Sequence, residues 1–284
     1  MPNLSAHFSI VVGYDGSAAA ASAVRWAAHE AAMRTTGLTI VHAVSPEAPG
    51  PSLISWAGPG PSEVLRAQQD HAHRLMDEAA KAANDAVAGV QIETKVVTGA
   101  PVATFLGLSD QARLIVVGRR GESVLPGLSF GSLSTAMIHH AHCPVAVIHD
   151  ELPPPDAPVV LGVDGSPASE LATATAFDEA SWRGVELVAV HACRDGGREQ
   201  PESEAAEALA ERLAGWQERY PDVRVRRVVV ADRPAHHLLQ EAASAQLVVV
   251  GTRGHGELTG KLLGSVSAAV TQGSSTPVIV ARQD

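Results

Sequence analysis

Apolar positions along the chain fall into short continuous runs separated by stretches that read as helices. A short apolar run set between helices reads as a strand covered on both faces, and hence as a parallel strand. In the first half the predicted strands are Phe8–Tyr14, Leu38–Val44, Gln91–Val97, Leu114–Val117 and Pro144–Ile148. Ser17 predicts a helix N-cap ahead of an alanine-rich stretch to Met33, and Glu63–Ala88 predicts a long helix. Pro101 can open a third helix as its first residue, and Ser132–His140 forms a fourth. Right-handed crossovers wind this alternation into a doubly wound sheet. Ligands of such sheets bind at the carboxyl ends of strands, where the strand order reverses. The loops richest in glycine follow strands one and four, so a site is expected between them.

The pattern occurs twice. Ile10–Ser17 (IVVGYDGS) returns as Val159–Ser166 (VVLGVDGS) at an offset of 149, and His42-Ala43 returns as His191-Ala192 at the same offset. Leu114–Gly121 returns as Leu247–Gly254 at an offset of 133, which Pro101 and Pro234 share. The first copy therefore carries 16 extra residues between Ala43 and Pro101, placed in the Pro/Gly-rich stretch Ser45–Ser62. Two homologous domains are expected, 1–150 and 158–284. A linker over 151–157 holds three consecutive prolines, which favour an extended spacer.

Composition narrows the partners. Thirty-one Asp+Glu against 21 Lys+Arg give a net charge of −10 with no basic block, unlike a nucleic-acid or anionic-membrane surface. No apolar run approaches the roughly 20 residues of a membrane span, and Met1–Ser17 lacks the pattern of a signal peptide. A cytoplasmic location is expected. Two cysteines, Cys143 and Cys193, allow at most one disulfide and read as small buried fillers.

The most informative chemistry is Gly118-x2-Gly121-x9-Gly131-Ser132, repeated at identical spacing as Gly251-x2-Gly254-x9-Gly264-Ser265. Glycines let backbone N–H groups approach an anion without a Cβ in the way. A helix that starts at the last glycine adds N–H donors and a dipole that favour phosphate. Turning the chain is the plain alternative, but a long gap conserved between two otherwise different loops favours the phosphate reading. Arg120 and Arg253 recur inside the loops and could pair with phosphate or simply face solvent.

Both copies, over nearly the whole chain, resemble the universal stress protein family, in the subclass whose Gly-x2-Gly-x9-Gly-Ser/Thr signature accompanies ATP binding. The resemblance implies two flavodoxin-like domains of strand order 3-2-1-4-5, each holding ATP across strands one and four, two ATP per chain, with Mg²⁺ as an optional companion. By position it places Gly13 and Gly162 at the pocket floor, Asp15 and Asp164 against adenine and ribose, and the backbone of Ala43 and Ala192 at the adenine edge. Val97 and Val230 are weaker candidates for the adenine wall. Gly118, Gly121, Gly131 and Ser132 would hold phosphates in the first copy, and Gly251, Gly254, Gly264 and Ser265 in the second. Leu133-Ser134 and Val266-Ser267 begin the helices that follow. A carboxylate suits the sugar end because it accepts from ribose hydroxyls. A turn or cap ahead of Ser17 and Ser166 is the competing role for the two aspartates.

Other motifs carry less. Gly127–Gly131 matches G-x-S-x-G, but no strand feeds it and the slot of Ser129 is Leu262 in the second copy. No GxxxxGK[ST] is present. His139, His142 and Cys143 have metal-like spacing, but Ser275 and Thr276 replace the last two in the second copy; they are expected to decorate a helix end. His42 and His191 read equally as core residues or as supports for the adenine contacts. Lys261 lends a charge only to the second loop. The functional expectation is an ATP-binding regulator of the stress response acting on a protein partner that the residues do not name. A slow ATPase or nucleotidyl-transfer enzyme using the same pocket is the alternative, although no catalytic base can be assigned. The last strand of each copy is an open edge. The two edges are expected to pair about a pseudo-twofold axis within one chain, with a homodimer as a further assembly.

Overall fold

The computed structural model describes residues 9–45, 61–121, 130–149, 151–192, 194–195, 198–199, 201–253 and 263–282. The first half runs β1 (Ile10–Gly13), α1 (Ala18–Met33), β2 (Leu38–Val44), α2 (Pro61–Ala86), β3 (Ile92–Thr98), α3 (Pro101–Ser109), β4 (Leu114–Gly118), α4 (Ser132–His140) and β5 (Val145–Ile148). The second runs β6 (Val159–Val163), α5 (Pro167–Arg183), β7 (Leu187–Ala192), a two-residue hairpin of β8 (Arg194–Asp195) and β9 (Arg198–Glu199), α6 (Glu202–Arg219), β10 (Val225–Val230), α7 (Pro234–Ala242), β11 (Leu247–Gly251), α8 (Ser265–Gly273) and β12 (Val278–Ala281). The hairpin has no counterpart in the sequence reading. The Ser45–Ser62 insertion beyond Ser45 lies largely outside the described residues, as do Gly254, Lys261, Cys193 and the Ser129/Leu262 pair.

The helices start where the local chemistry predicts. Ser17 and Ser166 accept from the N–H groups of Ala20 and Ser169, each at 3.2 Å, and both serines have extended backbone. Pro101, Pro167 and Pro234 occupy first-turn positions, where a missing N–H costs nothing.

All ten long strands form one sheet, β10-β7-β6-β11-β12-β5-β4-β1-β2-β3. Each half has the order 3-2-1-4-5 with parallel neighbours, and the halves meet where β12 pairs antiparallel with β5, Val280 opposite Val145 and Val278 opposite Val147. Antiparallel pairing at the junction means that the carboxyl ends of the two half-sheets point to opposite sides of the molecule. Side chains alternate between two layers. Ile10, Val12, Leu114 and Val116 face α1, α2, α5 and α6, whereas Val11, Ile115, Val117 and Val145 face α3, α4, α7 and α8. Both clusters run across the junction, so the halves share their core. Residues Val145–Ile148 are fully buried, and their amides are expected to be among the slowest in the protein to exchange with deuterium. Exchange as fast as at helix ends would mean that the junction opens independently.

The junction is also tied on both faces of the sheet. On one, Glu30 and Arg34 of α1 meet Glu179 and Arg183 of α5, positions related by the 149-residue repeat. Arg34 Nε donates to Glu30 Oε2 at 3.1 Å, and Arg183 Nη1 lies 2.6 Å from Glu179 Oε2, outside hydrogen-bond angles but within ion-pair reach. Arg34–Glu179 and Arg183–Glu30 contacts close the ring between the halves. Both carboxylates are wholly buried. Arg34 stacks over Trp182 and Arg183 over Trp26, 5.0 and 5.9 Å from the ring centroids. On the other face, Arg282 of the second half donates to the carbonyls of Ile138 and Ala141 at the end of α4, and Arg119 donates to Gln272 O at 2.9 Å.

One expectation needs correction here. The linker is not a straight spacer. Ala157 N–H bonds Pro154 O at 3.3 Å to make a turn, which Gln246 holds by donating to Pro155 O at 2.6 Å. His139 and His140 lie in the last turn of α4, at the helix end as expected, and Arg282 adds a cap on the carbonyls there. Burial, then His140 and Arg282, lower the His139 pKa and disfavour its charged form. His142 instead pairs with Asp110, and burial pushes the Cys143 thiol up to about 12. Among the described residues no group of three or more His, Cys, Asp or Glu side chains is placed to hold a metal ion.

Candidate functional site

The cleft lies where the topology places it, between the carboxyl ends of β1 and β4. Asp15, Gly16 and Ser17 form the turn from β1 into α1. Gly16 has φ +90° and Gly165 in the second copy φ +79°, a region in which only glycine is unstrained. Asp15 Oδ1 accepts from Ser17 N–H at 3.0 Å. Asp164 Oδ1 accepts from Ser166 N–H at 3.0 Å and from its hydroxyl at 2.7 Å. The turn-capping role is therefore real. It uses one oxygen, while Asp15 Oδ2 faces Gly121, 2.5 Å from where a Cβ on that glycine would stand.

The glycine loop after β4 is pinned at its two ends. Gly131 N–H donates to Arg119 O at 3.0 Å, and Gly264 N–H to Thr252 O at 2.7 Å. Ser134 donates its hydroxyl to Gly118 O at 2.7 Å, and Ser267 to Gly251 O at 2.6 Å. These bonds draw the helix start against the strand end in both copies, which accounts for the shared spacing. Gly131 and Gly264 are N-cap residues with extended backbone and no side-chain cap. The N–H groups of Ser132, Leu133 and Ser134, and of Ser265, Val266 and Ser267, have no intrahelical acceptor and form a donor cluster at each helix start.

In the first copy these elements enclose a cavity of about 780 Å³. Gly13, Asp15, Ala43, Gly118, Arg120, Gly121, Gly131, Ser132, Leu133 and Ser134 all line it, so the structure gathers nearly the whole expected set. Val97 does not. It pairs in register with Ala43 on β3 and packs on the α3/α4 face of the sheet. In the second copy Gly162, Asp164, Ala192, Gly251, Arg253, Gly264, Ser265, Val266 and Ser267 hold the corresponding places. Val230 is buried in the equivalent core layer.

His42 Nδ1 stands 2.8 Å from Tyr14 O, and His191 Nδ1 2.8 Å from Val163 O. A carbonyl only accepts, so Nδ1 carries the proton and each ring braces the end of β1 or β6 from the neighbouring strand.

Other wall residues escaped the sequence reading. Phe105 sits under Gly13, its ring 3.0 Å from the place of a Cβ there, and Leu238 does the same under Gly162 at 3.2 Å. Each falls four residues after a recurring proline, a signal that was available. Gln68, His71 and Leu75 come from α2, and no repeat marks them. Tyr14 completes the wall; burial, then Glu78 and Asp15, raise its pKa and keep it a neutral phenol.

A donor-rich helix start, a carboxylate on the strand-one turn and an apolar floor can together take a ligand with an anionic end, a polar middle and a flat apolar body. Fold and cleft define a doubly wound parallel α/β protein duplicated within one chain, with a cleft at each reversal of strand order. The universal stress protein family model matches residues 8–149 and 157–282, and the chain belongs to this family. It is 50% identical to a universal stress protein of Mycobacterium tuberculosis, over 100% of this chain and 99% of that one. It is 49% identical to one of Mycobacterium bovis, over 96% and 97% of the two chains. A universal stress protein structure from Archaeoglobus fulgidus matches the fold with a TM-score of 0.74 at 20% identity, covering 99% of this chain and 100% of that chain.

Proposed function

We propose that this universal stress protein binds two ATP molecules per chain and acts as a nucleotide-dependent regulator in the stress response. The observation that carries the reading is the first-copy cavity, which joins the strand-one carboxylate, the glycine loop and the α4 start in one space. Its size suits a nucleotide, within the roughly 300–1,000 Å³ range of small-ligand sites. The phosphates would meet the N–H groups of Ser132–Ser134, with Arg120 at the loop edge. Asp15 would accept from ribose hydroxyls, and the adenine would lie over Gly13 and Phe105 beside the Ala43 backbone. The second copy offers the same roles through Asp164, Gly162, Leu238, Ala192 and Ser265–Ser267. Mg²⁺ would enter on the phosphates and keep much of its water, as that ion commonly does. Its assembly about the junction is one chain's pair of domains.

Calorimetric titration of nucleotide-stripped full-length protein with ATP is expected to give a stoichiometry near two. A value near one would mean that one copy is degenerate, and a value well below one would overturn the proposal. Assaying the same samples for released ADP separates a binder from a slow ATPase.

A further inference from the structure

The two clefts share their floor and their helix start but not their fourth wall. In the first copy that wall is α2. Gln68, His71 and Leu75 are spaced three and four residues apart, so they lie on one helix face, and all three line the cavity. Leu75 fixes the helix against the site, its side chain 3.0 Å from where a Cβ on Gly16 would stand. His71 is one turn further out, exposed and on the cleft side. The buried positions Ala72 and Met76 correspond to Ala205 and Leu209 in α6, at the 133-residue offset. By that register His71 is replaced by Glu204, Gln68 by Pro201 and Leu75 by Ala208. The space that Leu75 fills at the first turn is taken in the second by the guanidinium of Arg212, which lies against Gly165.

We infer that His71, assisted by Gln68, is a phosphate-contacting residue of the first site alone, and that it makes nucleoside polyphosphate binding there tighten as pH falls. This rests on the nucleotide reading above. An imidazole changes charge between pH 5 and 8, and its charged form donates from both ring nitrogens to phosphate oxygens. Among the described residues, the other titratable and charged groups facing this cavity are Tyr14 and Asp15 from the end of β1, His42 from β2 and Arg120 after β4. Asp70, Arg74 and Glu78 share α2 with His71. None changes in a His71 variant, so comparison with that variant isolates the imidazole. Glu204 gives the second site the opposite charge at this position, and no such tightening follows there.

The test is calorimetric titration of the full chain with ATP at fixed Mg²⁺, at about pH 6 and about pH 8, for wild type, His71→Gln and His71→Lys. The terminal phosphate of ATP titrates in the same window, so each variant is compared with wild type at the same pH. One of two binding classes is expected to be about tenfold weaker in His71→Gln than in wild type at the lower pH, and little changed at the higher. In His71→Lys that class stays tight at both. Equal pH dependence in wild type and His71→Gln overturns the inference while leaving ATP binding standing. Failure of all three proteins to bind ATP overturns the nucleotide reading itself, and this inference with it.

Discussion

Arg183→Ala is expected to lower the free energy of unfolding by about 3–5 kcal/mol near neutral pH, the usual cost of leaving a buried charge without its partner. The ring formed by Glu30, Arg34, Glu179 and Arg183 balances two carboxylates against two guanidiniums, all nearly out of reach of water. Removing one guanidinium leaves two buried carboxylates facing one cation. The pH dependence identifies the mechanism. Burial, then the Glu30 carboxylate, already push Glu179 up to about 7 against the pull of Arg183 and Arg34. A carboxyl group raised in the folded state takes up its proton there before it does in the unfolded chain. The stability it contributes is present at low pH and lost as pH rises through the folded value. Deleting Arg183 raises Glu179 further, so the deficit should shrink as pH falls below 7 toward the ordinary carboxylate range. Urea unfolding across that range measures both. A loss under about 1 kcal/mol, flat with pH, would mean that the ring behaves as a screened surface pair.

Gly118→Ala and Gly251→Ala are expected to destabilise the protein by about 1–3 kcal/mol, as overpacked substitutions do. A Cβ on Gly118 would stand 2.8 Å from the backbone carbon of Ala19, and one on Gly251 2.6 Å from the carbonyl oxygen of Ala168. Those atoms belong to the first turns of α1 and α5, anchored by Ser17 and Ser166, and cannot yield as a flexible side chain would. The glycine motif at this position thus serves close approach of helix to strand. Gly121 separates the two roles. Its Cβ would meet only the end of the Asp15 side chain. Gly121→Ala is expected to keep the wild-type midpoint in thermal unfolding while weakening ATP at the first site by about tenfold, through the displaced carboxylate. Unchanged affinity would remove Asp15 from the ligand's path.

Much of the architecture was legible in one dimension. Ile10–Gly13 and Leu114–Gly118 are apolar throughout, and Leu38–Val44 is so apart from Thr39 and His42, because both faces of each strand are covered, and that pattern needs no partner to be read. Ser17 and Pro101 mark helix starts through local bonding and fixed φ, which neighbours in sequence decide. The duplication supplied the rest, because residues shared by two diverged copies at constant spacing mark positions where geometry is constrained. It picked out Asp15, Gly121 and Gly131, which the fold brings into one cleft.

What the tertiary structure alone decided lies where residues far apart in sequence meet. Glu30 and Arg34, at the end of α1, are buried together only because the antiparallel pairing of β5 with β12 places Glu179 and Arg183 opposite them and removes the water. Arg282, just after β12, caps a helix in the other half. Val97 matches its position in the repeat and shares a sheet face with its register partner Ala43, but β3 lies one strand further from the β1/β4 cleft, so Ala43 lines the cavity and Val97 does not. His71 carries no motif at all. Its place follows from the direction in which α2 crosses the strand ends, set by Leu75 on the Gly16 turn, and no local pattern encodes a helix's crossing direction.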